Sequence, residues 1–224
     1  MNIDFAGQRL KMVDGQVRTS DVTDTALLDA MLVVPRESFV SASRRGLAYI
    51  DEDVQIATAD RNRGARYLTQ ASSFAKLVQL AGVKPSDFVL DVGCGTGYCS
   101  AVLSRLASSV IALESDPALA DFATGALSDL GYDNAVVVQG PLQEGYPAEA
   151  PYDVIFFGGS VEEPPKAIFD QLKDGGRLVV VVGQGNAGVA RLYLNTGGEV
   201  SGRNAFNAAI KPLPGFERAR TFEF

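Results

Sequence analysis

The chain predicts an α/β fold: a mainly parallel, doubly wound sheet with helices on both faces, preceded by an N-terminal helical extension. Two observations carry this expectation. From Asp87 onward, short apolar runs rich in Val, Ile, Leu and Phe alternate with longer stretches at helical spacing. The first run, Val89-Leu90-Asp91-Val92, breaks into Gly93, Gly95 and Gly97 and then opens a helix, the strand–turn–helix start of such sheets. At 224 residues with 46% hydrophobic content, the chain is long enough to bury the core that a sheet covered on both faces requires.

In the first 60 residues helical patterns alternate with short breaks. Asp21 or Thr23 can cap a helix carrying Ala26, Leu27, Leu28, Ala30, Met31 and Leu32, which Pro35 closes, and residues 38–47 read as a second short helix. Residues 60–72 are polar, basic and aperiodic, and read as a loop. Phe74, Leu77, Val78 and Leu80 then form an apolar helix stripe ended by Gly82 and Pro85. Strands follow over 88–92, 110–113, 135–138, 153–157 and 177–182, with helices over 100–106, 117–130 behind an Asp116 cap, and 165–172. Residues 190–194 and 206–211 suit two closing strands. The extension and its loop take residues 1–80 and the core 81–224, as one compact unit.

Glycine at the break lets the backbone turn sharply and approach a ligand with no Cβ in the way, and the helix start beyond it offers unpaired N–H groups. Glu114 ends the next apolar run, where a carboxylate can accept both hydroxyls of a ribose. A nucleotide-like guest suits both features. The dinucleotide fingerprint places two residues between its second and third glycines, leaving the helix start open for a pyrophosphate. Here the glycines alternate strictly, and Asp91 lies two positions before the first. An acid there suits a cationic amino-acid moiety better than a pyrophosphate. The arrangement resembles motif I of the class I methyltransferases, which bind S-adenosyl-L-methionine. That resemblance implies a Rossmann-like class I methyltransferase fold, with Asp91, Gly93, Gly95 and Gly97 around the methionine portion, Tyr98 following the last glycine, and Glu114 on the ribose.

Composition narrows the classes. Twenty basic against 27 acidic residues give a net charge of −7, which opposes attraction to phosphate backbones and disfavours a nucleic-acid partner. Basic residues cluster at Arg61, Arg63 and Arg66 beside Arg44 and Arg45, as a solvated loop or as a holder for an anionic substrate. Cys94 and Cys99, five positions apart around the glycine turn, are poorly placed for a disulfide, and a chain without histidine has too few ligands for zinc. The first residues lack the basic start and apolar core of a signal peptide, and no apolar run is long enough to span a bilayer. The expectation is a cytoplasmic protein with no metal and no membrane partner.

A second resemblance is narrower. Residues 12–18 (Met-Val-Asp-Gly-Gln-Val-Arg), Asp24, Ala30-Met31, Val34-Pro35-Arg36 with Phe39-Val40, and Ala48-Tyr49-Ile50-Asp51 are similar to the amino-terminal region of protein-L-isoaspartate O-methyltransferases. Leu130-Gly131-Tyr132-Asp133-Asn134, residues 150–155 and residues 171–179 are similar to the same family, so the resemblance runs from about Met12 to Val182. It implies methyl transfer from S-adenosyl-L-methionine to the α-carboxylate of isoaspartyl residues in damaged proteins, as a repair reaction. The nucleophile is a carboxylate, already ionised at neutral pH, so a chain without histidine can support the chemistry.

Departures from the family pattern lie around the substrate. The family carries Thr-x-Ser-Gln-Pro before the apolar helix, its serine contacting the isoaspartyl carboxylate; here Tyr67 falls on the threonine, Thr69 on the serine, Gln70 on the glutamine and Ala71 on the proline. The resemblance implies Tyr67, Thr69 and Gln70 at the substrate, with Thr69 retaining the catalytic hydroxyl. Gly140-Pro141-Leu142 stands where the family has Gly-Asp-Gly near the adenine, and Gly158-Gly159-Ser160 where it has Thr-Ala-Ala. These changes keep a second reading open, in which the chain binds S-adenosyl-L-methionine but has lost isoaspartyl activity or methylates another carboxylate.

Overall fold

The structure, a computed structural model, describes residues 3–59 and 64–217. The N-terminal extension comprises helix α1 (Phe5–Met12), a π-helical turn over Val13–Val17, and helix α2 (Thr25–Val33). The cap of α2 is Asp24, one to three residues after the expected positions; its carboxylate accepts from Leu27 N at 3.1 Å, while Asp21 adopts a left-handed φ of 63° just upstream. The chain is already extended at Val34, as the following proline requires. The expected helix over 38–47 is two 3-10 turns, Arg36–Phe39 and Ala42–Leu47, because Val40 and Ser41 are extended between them.

Strands β1 (Val54–Ala57) and β2 (Arg66–Leu68) pair as an antiparallel ribbon, so part of the expected loop is a strand. Three residues are too few to display an alternation in sequence. Helix α3 (Ala71–Ala81) ends where Gly82, at φ +54°, donates its N–H to the carbonyls of Val78 and Gln79.

The main sheet holds β3 (Phe88–Val92), β4 (Ser109–Glu114), β5 (Ala135–Gln139), β6 (Tyr152–Val161), β7 (Leu172–Val182), β8 (Val189–Thr196) and β9 (Glu199–Asn207). Their order is β5-β4-β3-β6-β7-β8-β9; the pairings from β5 through β7 are parallel and the last two antiparallel. Helices α4 (Tyr98–Ser104), α5 (Pro117–Asp129) and α6 (Lys166–Phe169) complete the set. Consecutive strands depart from β3 in opposite directions, and a crevice opens at such a switch point beyond the strand ends.

Two further differences from expectation lie in the core. α6 spans only four residues, because the Gln171 carbonyl already accepts from Tyr152 N at 2.9 Å and β7 begins at Leu172. The last strand occupies 199–207 rather than 206–211, since Gly197 and Gly198, at φ +62° and +86°, fold the chain straight back on β8. Residues 210–213 instead cross the end of β6: Ser160 N donates to Lys211 O at 3.0 Å and Leu213 N to Ser160 O at 2.8 Å.

Alternate residues of the central strands feed two apolar layers. Val89, Val154, Phe156 and Val179 meet Phe74 and Leu77 of α3 together with Leu27, Met31 and Phe39 of the extension. Leu90, Val92, Ile155, Phe157 and Leu178 face the other way, toward Leu142, Ile168 and Leu213. Among the described residues no helix is long and apolar enough to cross a membrane.

Candidate active site

The end of β3 and the turn after it form the floor of the crevice. Asp91 is fully buried; its Oδ2 accepts from Ser100 Oγ at 2.6 Å, and its Oδ1 has no hydrogen-bond partner. Burial pushes the carboxyl up to about 6, against the opposing hydrogen bond from Ser100. Gly93, Gly95 and Gly97 follow at φ +80°, +61° and +95°, a left-handed series that residues with side chains rarely adopt. Gly93 N and Cys94 N donate to Leu113 O at 2.9 and 3.1 Å, which fastens the turn to the end of β4.

Glu114, the last residue of β4, is buried to 0% exposure. Its Oε2 accepts from Gly95 N at 2.8 Å, and its Oε1 from Ser115 N and Asp116 N at 2.8 and 2.9 Å. The glycine turn and the second acid, joined by inference in the sequence, are therefore joined by a direct hydrogen bond.

The remaining acceptor directions of Glu114 are filled by Arg66, from the basic stretch expected as a loop. Arg66 Nη1 donates to Glu114 Oε1 at 2.6 Å and Nη2 to Oε2 at 2.8 Å, with a third bond from Nη2 to Gly93 O at 3.2 Å. At 6% exposure this is an interior ion pair and not a solvated cation. No local signal marks Arg66 out from its basic neighbours, because its partner lies 48 positions along the chain. Of the other clustered arginines, Arg44 reaches Gln55 Oε1 at 3.2 Å, and Arg61 and Arg63 lie outside the described residues.

Thr69 is half-buried; its Oγ1 lies 3.4 Å from Gly158 O, and its own carbonyl accepts from Arg36 Nη2 at 2.6 Å. Gln70 is fixed from both ends, its N–H on Asp53 Oδ1 at 2.9 Å and its amide on Asp51 Oδ1 at 2.8 Å. Tyr67, on β2, carries the Lys211 ammonium over its ring at 5.4 Å. Tyr98 is a core residue, 1% exposed, with Phe39 and Phe74 against it and the Arg36 guanidinium over its ring at 4.7 Å.

Two cavities lie by the glycine turn and by Arg66. One of about 30 Å³, room for roughly one water, is bounded by Thr69, Phe74, Gly93, Gly95, Phe156 and Gly158. The other, about 280 Å³, lies between Arg66, Ser115, Asp116, Pro141, Leu142 and Gln143. Side chains of the protein cover the glycines: a Cβ on Gly93 would lie 2.6 Å from Leu213 Cδ2, and one on Gly95 2.8 Å from Ile56 Cδ1. Both cysteines are free and buried, and burial raises their thiols well above the ordinary range. Among the described residues no group of His, Cys, Asp and Glu is arranged to hold a metal ion.

The family model for protein-L-isoaspartate(D-aspartate) O-methyltransferase matches residues 8–215. A protein-L-isoaspartate O-methyltransferase of Koribacter versatilis is 38% identical over 179 residues, covering 80% of this chain and 78% of the relative. A solved protein-L-isoaspartate O-methyltransferase superposes with a TM-score of 0.80 at 28% identity, over 92% of this chain and 66% of that one. A Plasmodium falciparum structure described as a β-aspartate methyltransferase in complex with S-adenosyl-L-homocysteine has the same fold, with a TM-score of 0.76 at 21% identity over 91% and 96% of the two chains.

Proposed function

The chain belongs to the protein-L-isoaspartate O-methyltransferase family, and from that premise we propose that it transfers a methyl group from S-adenosyl-L-methionine to the α-carboxylate of isoaspartyl residues in damaged proteins. The observation that carries this reading is the constellation of Asp91, the left-handed glycine turn and Glu114 at the switch point of the sheet.

The donor and acceptor chemistry of the crevice fits that cofactor. Asp91 Oδ1 is a buried acceptor without a donor, the partner that a cationic amino-acid group requires. Glu114 is held by backbone N–H groups so that both oxygens still face a two-pronged donor, which a ribose diol also is. Gly93, Gly95 and Gly97 add no side chain of their own to the floor, which Leu213 and Ile56 cover from above Gly93 and Gly95.

In this reading Asp91, Gly93, Gly95 and Gly97 hold the methionine portion, Tyr98 braces the helix beside it, and Glu114 holds the sugar. S-adenosyl-L-methionine supplies an electrophilic methyl on a sulfonium. Because the acceptor carboxylate is ionised at neutral pH, no side chain has to remove a proton. The protein contributes alignment and the exclusion of water. Thr69 Oγ1, now facing Gly158 O, presents a hydroxyl donor to the substrate carboxylate, with Gln70 fixed beside it. Phe74 and Phe156 line the neighbouring space with apolar surface, and a site poor in water favours a reaction in which opposite charges neutralise. Tyr67 and Lys211 stand together, and the lysine adds positive charge that complements an incoming carboxylate.

The test is methyl transfer from labelled S-adenosyl-L-methionine to an isoaspartyl peptide and to its normal aspartyl twin. The expected result is incorporation into the isoaspartyl peptide alone. Background counts for both would reject repair activity and favour the reading in which another carboxylate is methylated or the cofactor is bound without turnover.

A further inference from the structure

Glu114 is engaged on every side. Three backbone N–H groups hold it from within the fold, and the Arg66 guanidinium closes the face toward the crevice with two parallel bonds of 2.6 and 2.8 Å. A ligand that uses this carboxylate must first displace Arg66. We propose that Arg66 is an internal competitor for the nucleoside site: its guanidinium occupies the place of a ligand's vicinal diol, and its release sets the affinity of the protein for its cofactor. This inference rests on the reading of the crevice as the S-adenosyl-L-methionine site.

Three features carry it. The pair is 6% and 0% exposed and bidentate, unlike the solvated ion pairs that contribute little, and Gly93 O fixes the guanidinium further at 3.2 Å. The same ribbon that carries Arg66 also brings Ile56 over Gly95, so one element covers both the acid and the turn. Departure of Arg66 does not orphan Glu114. Removing one partner of a buried pair is costly when it leaves an unpaired charge, but here Gly95, Ser115 and Asp116 still donate to the carboxylate. The cavity of about 280 Å³ beside Arg66 gives the side chain somewhere to go. The closed pair therefore acts as an equilibrium that divides the intrinsic affinity by the fraction of molecules in which Arg66 has left.

The experiment is calorimetric titration of the full chain with S-adenosyl-L-homocysteine, comparing the natural sequence with Arg66→Met, which keeps the aliphatic stem and loses the guanidinium. The expected result is a Kd at least about tenfold tighter in the variant. An equal or weaker Kd overturns the proposal while leaving the cofactor reading intact. If Arg66→Met shows no cooperative melt, Arg66→Lys decides instead, because a single ammonium cannot span both carboxylate oxygens. Tighter binding by Arg66→Lys supports the competitor, and unchanged or weaker binding overturns it. No binding by any of the proteins overturns the cofactor reading and the competitor together, so the two failures are distinguishable.

Discussion

At the scale of single residues, Asp91 concentrates the electrostatic cost of the site. Its carboxyl is raised to about 6 chiefly by burial, from an ordinary 3.8. Between those two values the folded protein keeps a proton that the unfolded chain has lost. Stability therefore falls as pH rises from about 4 to about 6 and is level above, with a total on the order of 3 kcal/mol. Asp91→Asn removes that titration. The expected outcome is a smaller fall of the melting midpoint between pH 4.5 and 7, and a variant more stable than the natural protein at pH 7. The ammonium group of S-adenosyl-L-homocysteine favours the ionised form of Asp91, so affinity for that ligand should weaken below pH 6 in the natural protein, a dependence that Asp91→Asn lacks. The acid, the turn and Glu114 were legible because each ends or interrupts an apolar run at a spacing that chemistry constrains. Arg66 was not legible, since a pairing across 48 residues leaves no periodic trace. Arg36 was equally hidden: a buried arginine is unusual, and only the fold shows the Ala48 and Thr69 carbonyls that satisfy it at 2.8 and 2.6 Å.

At the scale of elements, legibility followed length and periodicity. β3 was bounded to the residue by the run from Phe88 to Val92, and α3 was closed by its glycine cap. β2, with three residues, has no period to read, and the final strand was displaced because Gly197-Gly198 sets a hairpin that apolar content alone does not reveal. The same logic gives two glycine substitutions opposite signs. Gly158 lies near the end of β6, where a Cβ would meet Gly93 O at 2.6 Å, and at Gly159 it would meet Lys211 O at 2.7 Å. The bare strand end lets the glycine turn and residues 210–213 close over it. Gly158→Ala should cost roughly 1–3 kcal/mol, because the obstacle is backbone. A Cβ on Gly125, within α5, would have no neighbour within 4 Å, so Gly125→Ala should stabilise by about 0.5–1 kcal/mol through helix propensity. Urea denaturation midpoints of the two variants, at unchanged slope, check both.

At the scale of the whole molecule, the N-terminal extension is a wall of the site. Its Leu27, Met31 and Phe39 share one buried cluster with Phe74, Val89, Tyr98 and Phe156 of the sheet and its helices. Polar contacts cross the same boundary: Thr96 Oγ1, inside the glycine turn, donates to Phe39 O at 2.6 Å, and Arg36 spans from the Ala48 carbonyl to that of Thr69 while lying over the Tyr98 ring. A chain beginning at residue 60 would present the apolar faces of α3 and Tyr98 to water. Each large buried side chain so exposed forfeits roughly 1.5–3 kcal/mol, and a few of them equal the net stability of a domain. The expectation is that extension and core unfold together. Scanning calorimetry of the full chain should give a single transition with equal calorimetric and van't Hoff enthalpies, and the truncated chain should show none. Two resolved transitions, or a truncated core that melts cooperatively, would contradict this. The consequence reaches the chemistry, because the carbonyl that Arg36 holds belongs to Thr69: the loop proposed to receive the substrate is braced by a side chain that only the intact extension supplies.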